Sequence, residues 1–131
     1  MGVARSKGLH AVTRRIGSAV VVCVAGDIDA SNEGAWAQLL TEMAASTTPP
    51  HPLVVDVRNV DFMGCCAFTA LEQEAKRCRG RGVSLCLVSY QPVIDRTVDV
   101  CGLRWVLPIY PTIEAALVRA AVEASDGGKP W

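Results

Sequence analysis

Cys65 and Cys66 stand side by side between the strand-like run Leu53-Val54-Val55-Asp56-Val57 and an amphipathic stretch that begins at Phe68. A thiol at the start of a helix lies among unpaired backbone N–H groups, and that field favours an anion, either a thiolate or an oxidised sulfur. The chemistry open to the pair is therefore nucleophilic or redox. Nucleophilic use needs a base, usually a histidine. The chain has only His10 and His51, neither with an orienting partner nearby in sequence, so a cysteine-dependent enzyme is a minor reading. A redox-sensing pair at Cys65 and Cys66 stands against a plainer alternative, in which small residues merely fill a helix start.

The remaining candidates have ordinary readings beside functional ones. Asp27, Asp29, Ser31 and Asn32 follow a β-branched run. They suit a turn in which Asp29 or Ser31 caps the next helix, and equally a turn that meets a partner. Asp56 ends its run and reads as a turn-stabilising aspartate. Thr69 is the nearest hydroxyl after the cysteines, one helical turn on. Arg77, Arg79 and Arg81 read as a solvated helix end. Trp36 and Trp105 read as core or half-buried, and Cys23 and Cys86 as small core residues. The chain has six cysteines and no C-x-x-C, so the zinc spacings fail and no metal or cofactor is expected.

These residues sit in a chain of 131 residues, of which half are hydrophobic and a fifth charged, which fits one globular domain. Lysine plus arginine and aspartate plus glutamate number 13 each. That balance, with few aromatics, removes the usual argument for nucleic acid. No apolar run approaches the roughly 18 residues of a membrane span, and the start lacks a signal peptide's apolar stretch. A cytoplasmic protein with reduced thiols is the expectation.

Periodicity predicts a short strand over 10–13 and a longer one over 19–25, with a hairpin between them at 14–18. A helix follows, with its stripe at Trp36, Leu39, Leu40 and Met43, ending before the loop Thr47-Thr48-Pro49-Pro50. After the strand at 53–57, a turn over 58–64 leads to a helix burying Phe68, Leu71, Ala75 and Cys78, with Glu72, Glu74 and Lys76 toward water. Val83–Val88 is the next strand. Pro92 then opens a helix burying Ile94, Val98 and Cys101, with Gly102 as a left-handed cap and Leu103 as its apolar contact. An edge strand over 105–109 and a helix capped by Thr112 complete the order: strand, strand, helix, strand, helix, strand, helix, short strand, helix. That is an α/β class domain, a mixed sheet with flanking helices. Residues 1–8 read as a flexible segment, 9–124 as the domain and 125–131 as a flexible tail.

Three segments in this order resemble the STAS family, in its anti-sigma factor antagonist branch. Gly26-Asp27-Ile28-Asp29 resembles the family's Gly-acid-apolar-Asp turn. The run from Leu53 to Phe68 resembles a strand ending in Asp, followed by an apolar-apolar-Asp-Ser-Ser-Gly-Leu helix entry. Val98-Asp99-Val100-Cys101-Gly102-Leu103 is similar to the family's apolar-x-x-Ser-Gly-Leu. The resemblance implies a binding module and no enzyme, whose partner is an anti-sigma factor of the ATP-dependent kinase type. It implies no small-molecule substrate. The partner surface it implies is Asp27, Asp29, Ser31 and Asn32 with Gly64, Cys65, Cys66, Ala67 and Phe68. By alignment Gly64 replaces the family's Asp and Cys65 its phospho-accepting Ser, so the usual phosphorylation switch is expected to be lost. The alternative within the family is a redox-responsive signalling module or a small-ligand binder.

Overall fold

The structure is a computed structural model that describes residues 2–6 and 8–126. Six strands form one sheet in chain order: β1 (Gly2–Ser6), β2 (Leu9–Ile16), β3 (Ala19–Ile28), β4 (Pro52–Met63), β5 (Ser84–Val88) and β6 (Ile109–Tyr110). The first three are antiparallel neighbours, and β3 to β6 run parallel. Helices α1 (Glu33–Ala45), α2 (Cys65–Gly80) and α3 (Pro92–Val100) connect the parallel strands, and α4 (Ile113–Asp126) closes the fold.

Strand residues alternate between the two faces. Val20, Val22 and Val24 of β3 and Leu53, Val55 and Val57 of β4 enter the larger core, with Trp36 and Leu40 of α1, Leu71 of α2 and Val98 of α3. Val21 and Val54 point the other way, into a smaller core with Cys86, Ile113 and Ala116. The mixed sheet and the element order agree with the sequence-based expectation from β2 onward.

Several details differ. Gly2–Ser6, expected to be loose, pair with Leu9–Thr13 of β2. An edge strand is held by its backbone ladder and needs no apolar alternation, so its pattern is silent. α4 runs on to Asp126, past the expected domain limit at 124, and residues 127–131 lie outside the described residues. The β2–β3 turn is only Gly17-Ser18, because Ile16 pairs with Ala19 and Gly17 takes φ +61°. Residues 58–63, expected as a turn, extend β4 to twelve residues. Their pairing with β3 slips between Cys23 and Ala25 and again between Gly26 and Asp27. Such bulges break the period-two alternation that marks a strand.

On the helices, Glu74 is buried between α1 and α2, not in water. Its carboxylate accepts hydrogen bonds from Thr41 Oγ1 and Arg77 Nη1, both 2.9 Å. Cys101, expected on the buried face of α3, is exposed just past its end. Gly102 (φ +67°) and buried Leu103 form the expected cap, with Leu103 N–H on the Val98 carbonyl at 2.9 Å. Thr112 caps α4 through Ala115 N–H at 3.0 Å.

Candidate functional site

The site begins at Gly26. Its φ is +99°, and a Cβ there would collide with the Gly8 carbonyl oxygen, so only glycine fits. Asp27 N–H donates to the same oxygen at 3.0 Å, and the chain then leaves β3 for a tight turn. Asn32 organises that turn. Its Oδ1 accepts from Asp29 N–H (3.0 Å) and its Nδ2 donates to the Asp27 carbonyl (2.8 Å). Asp29 Oδ1 accepts from Ser31 N–H (2.9 Å) and Ser31 Oγ (2.6 Å). These two bonds hold the Asp29 carboxyl below its ordinary range. Asp29 and Ser31 therefore brace each other and cap nothing. The residue before α1 is Asn32, whose side chain is spent on the turn.

The α2 entry is bonded directly to this turn. Gly64 N–H donates to the Ile28 carbonyl at 2.9 Å. Trp36, fully buried on α1, donates its Nε1–H to the Ala67 carbonyl at 3.1 Å, tying the first turn of α2 to α1. Cys65 lies exposed at the first position of α2 and Cys66 beside it is half-buried. Burial and the neighbouring Glu33 carboxylate push the Cys66 thiol up, against the expectation that the helix start would favour its thiolate. Thr69 Oγ1 is exposed and donates back to the Cys65 carbonyl at 3.2 Å.

Of the nine residues expected to face a partner, Asp27, Ser31 and Cys65 are exposed, and Asp29, Gly64 and Cys66 are half-buried. Asn32, Ala67 and Phe68 are buried, so they support the surface from behind. Small or apolar residues at a helix start fit either side of such a surface, and sequence does not separate the two.

The surface also contains residues that the sequence did not single out. Phe62 is 55% exposed, opposite exposed Asp27. Gly26 pairs with Val60 while Asp27 pairs with Phe62, so Asp61 is the extra residue of a bulge, and it turns Phe62 out of the inward phase of Val60. With Val93 and Thr97 of α3, Phe62 lines a shallow groove of about 130 Å³ beside the α2 entry. Gln91 Nε2 holds the start of α3 to the Val60 carbonyl at 3.0 Å.

Asp56 is buried and paired with Arg58, Oδ1 to Nε at 2.9 Å and Oδ2 to Nη2 at 2.8 Å. It also accepts from Arg58 N–H at 3.0 Å, but both residues lie inside β4, so Asp56 braces the strand beside its first bulge and not the turn expected after it. The pair raises the Arg58 guanidinium further, and burial, then Asp56, raises the Cys23 thiol. His51 precedes the start of β4, the end opposite the α2 entry, and so offers Cys65 no base. Among the described residues, no group of three His, Cys, Asp or Glu side chains is placed to hold a metal ion. No helix among them is long and apolar enough to cross a membrane.

The STAS-domain profile matches residues 10–116, from β2 into α4. The chain belongs to the STAS-domain family. Rv2638 of Mycobacterium tuberculosis, which carries an anti-anti-sigma factor name, is 54% identical over 109 residues, 83% of this chain and 74% of that one. The anti-sigma-F factor antagonist RsfA of the same species is 48% identical over 112 residues, 86% of this chain and 88% of RsfA. A crystal structure of an anti-sigma factor antagonist from Mycobacterium paratuberculosis superposes with a TM-score of 0.76 at 26% identity, covering 86% of this chain and 94% of that one. Within the STAS family the chain thus groups with proteins named as anti-sigma factor antagonists. The three STAS-like segments have distinct tasks here: Gly26–Asp29 makes the turn, Leu53–Phe68 makes β4 and the α2 entry, and Val98–Leu103 ends α3.

Proposed function

We propose that this STAS-domain protein is a cytoplasmic anti-sigma factor antagonist. It would bind an anti-sigma factor of the ATP-dependent kinase type without being switched off by phosphorylation. The observation that carries the reading is the 2.9 Å bond from Gly64 to Ile28, which joins the β3–α1 turn and the α2 entry into one surface. Both segments are those that the family resemblance assigns to the partner. Asp27, Asp29, Ser31, Gly64, Cys65 and Cys66 would touch it, while Asn32, Ala67 and Phe68 keep them in place.

Loss of the switch rests on the residue at the head of α2. Cys65 offers a thiol where a kinase needs a hydroxyl, and Thr69 lies a turn further on, bonded to the backbone. The test uses purified kinase-type anti-sigma factors. The wild-type chain should bind one of them, and incubation with that protein and ATP should add no phosphate by intact mass. Gly64→Asp with Cys65→Ser should restore acceptance of one phosphate. The first change is tolerable: Gly64 has φ −75°, and a Cβ there would meet the Phe62 ring at 3.4 Å and the Ile28 carbonyl oxygen at 3.5 Å, both ordinary contacts. Stoichiometric phosphorylation of the wild type would overturn the lost switch, and failure to bind any such anti-sigma factor would overturn the partner.

A further inference from the structure

The outer edge of β5 is only half covered. β6 supplies Ile109 and Tyr110, opposite Leu87 and Val88. Leu87 N–H donates to the Pro108 carbonyl at 2.9 Å and Ser89 N–H to the Tyr110 carbonyl at 3.0 Å. Residues two apart in a strand present their backbone groups to the same side. Leu85 therefore presents its N–H and C=O to this edge as well. In the parallel pattern its carbonyl would receive the N–H of residue 108, and residue 108 is proline, which has none. The ladder stops there.

Among the described residues, neither backbone group of Leu85 has a hydrogen-bond partner at this edge, although Leu85 is only 2% exposed. Buried backbone polar groups are nearly always paired. Leu85 lines an open cleft of about 340 Å³. One wall holds Ala75, Arg79 and Trp105, and the Arg79 guanidinium stands 5.0 Å from the Trp105 ring centroid. Trp105 is 61% exposed. The other wall holds Ala120 and Glu123 of α4. Ala120, small and half-buried, leaves room for a side chain on the α4 side of a strand laid between the walls.

We propose that this cleft binds an extended peptide segment of a partner protein, which adds a short strand beside Leu85 and sets an apolar side chain against Trp105. A donor and an acceptor on one residue, at strand spacing, match a peptide backbone, and strand addition to an open edge is a recurring mode of peptide recognition. Pro52 and Ser84 line the cleft at the starts of β4 and β5, whereas the α2 entry follows the end of β4. The two surfaces lie at opposite ends of the sheet, so this inference stands apart from the proposed anti-sigma surface.

The probe is an acetyl- and amide-capped Val-Thr-Val peptide, titrated into the ¹⁵N-labelled full chain. Saturable shifts should appear at the Leu85 amide and the Trp105 indole N–H at roughly millimolar probe, the range for so small a ligand. The same peptide N-methylated at each backbone amide has no N–H left to give the Leu85 carbonyl and keeps only its own carbonyls for the Leu85 N–H, so it should bind about threefold to tenfold more weakly, as should the parent peptide to Trp105→Ala. Pro108→Ala supplies the missing N–H, lets the ladder reach Leu85 and should abolish the response. Should that variant fail to fold, the methylated peptide decides alone. Equal binding of the methylated peptide, no saturable response, or a Leu85 amide already protected from exchange in the free chain would each overturn the proposal.

Discussion

Cys65 and Cys66 are adjacent, yet their surroundings separate them. Cys65 is exposed, whereas burial and Glu33 hold the Cys66 thiol protonated at higher pH. Thiolate is the species that alkylates and oxidises. Maleimide labelling of the folded chain near pH 8, followed by peptide mass mapping, should therefore modify Cys65 and exposed Cys101 first and Cys66 later. Buried Cys78 and Cys86 should react only on unfolding. Labelling of Cys66 ahead of Cys65 would contradict the order. A functional consequence follows if the α2 entry meets the partner. Hydrogen peroxide transfers an oxygen to the Cys65 thiolate, leaving a sulfenic acid and hydroxide. The added bulk would sit at the position to which the family resemblance assigns the phosphate. Anti-sigma binding should weaken several-fold on oxidation, recover with reductant and lose this response in Cys65→Ala. Equal affinity of oxidised and reduced wild type would leave a constitutive antagonist limited by abundance.

At the scale of elements, the position of α2 depends on contacts from its neighbours. Trp36 fixes the first turn of α2 through the Ala67 carbonyl, and Glu74 fixes the middle through Thr41. Trp36→Phe keeps an aromatic ring but removes the indole bond to the Ala67 carbonyl, which keeps only its intrahelical partner, and leaves a void. The expected cost is about 2–3 kcal/mol of stability, read by urea unfolding. Partner affinity should fall with it even though Trp36 touches no partner. A large side chain at Ala67, which is fully buried, should unfold the domain before it probes any interface. Asp29→Arg is the cleaner surface test and should weaken binding by well over about 1 kcal/mol with the fold intact. Unchanged affinity for Asp29→Arg would take the turn out of the interface. The helices and the strands at β3 and β5 were legible in sequence because apolar periodicity records burial. The second half of β4 was not, because two bulges scramble the alternation from Val57 to Phe62. Those bulges also expose Phe62, the largest exposed apolar residue beside the candidate site.

At the scale of the molecule, two cores share one sheet and each contains a buried thiol. The larger one covers Cys78, and the smaller one, under α4, covers Cys86. The run of apolar residues around Cys86 made its burial legible, whereas the unequal division of the cores was not, because a strand buried on both faces shows no alternation. Burial pushes Cys78 up to about 11 and Cys86 up to about 12, from an ordinary 9.0. Unfolding releases both thiols to their ordinary value. Below about pH 9 both states hold these protons and stability does not depend on them. Between about 9 and 11 the unfolded chain loses the protons while the folded chain keeps them, so stability falls as pH rises. Each thiol contributes a loss on the order of 1 kcal/mol per pH unit in that window. Burial of the Tyr110 hydroxyl acts in the same direction from its higher ordinary value. Urea unfolding from pH 7 to 10.5 should thus show a plateau and then a decline of a few kcal/mol. Cys78→Ala with Cys86→Val should start less stable, because Cys78 leaves a small void, but should decline distinctly less steeply above pH 9. Parallel pH profiles for the wild type and the double variant would show that the buried thiols do not set the alkaline limit of this fold.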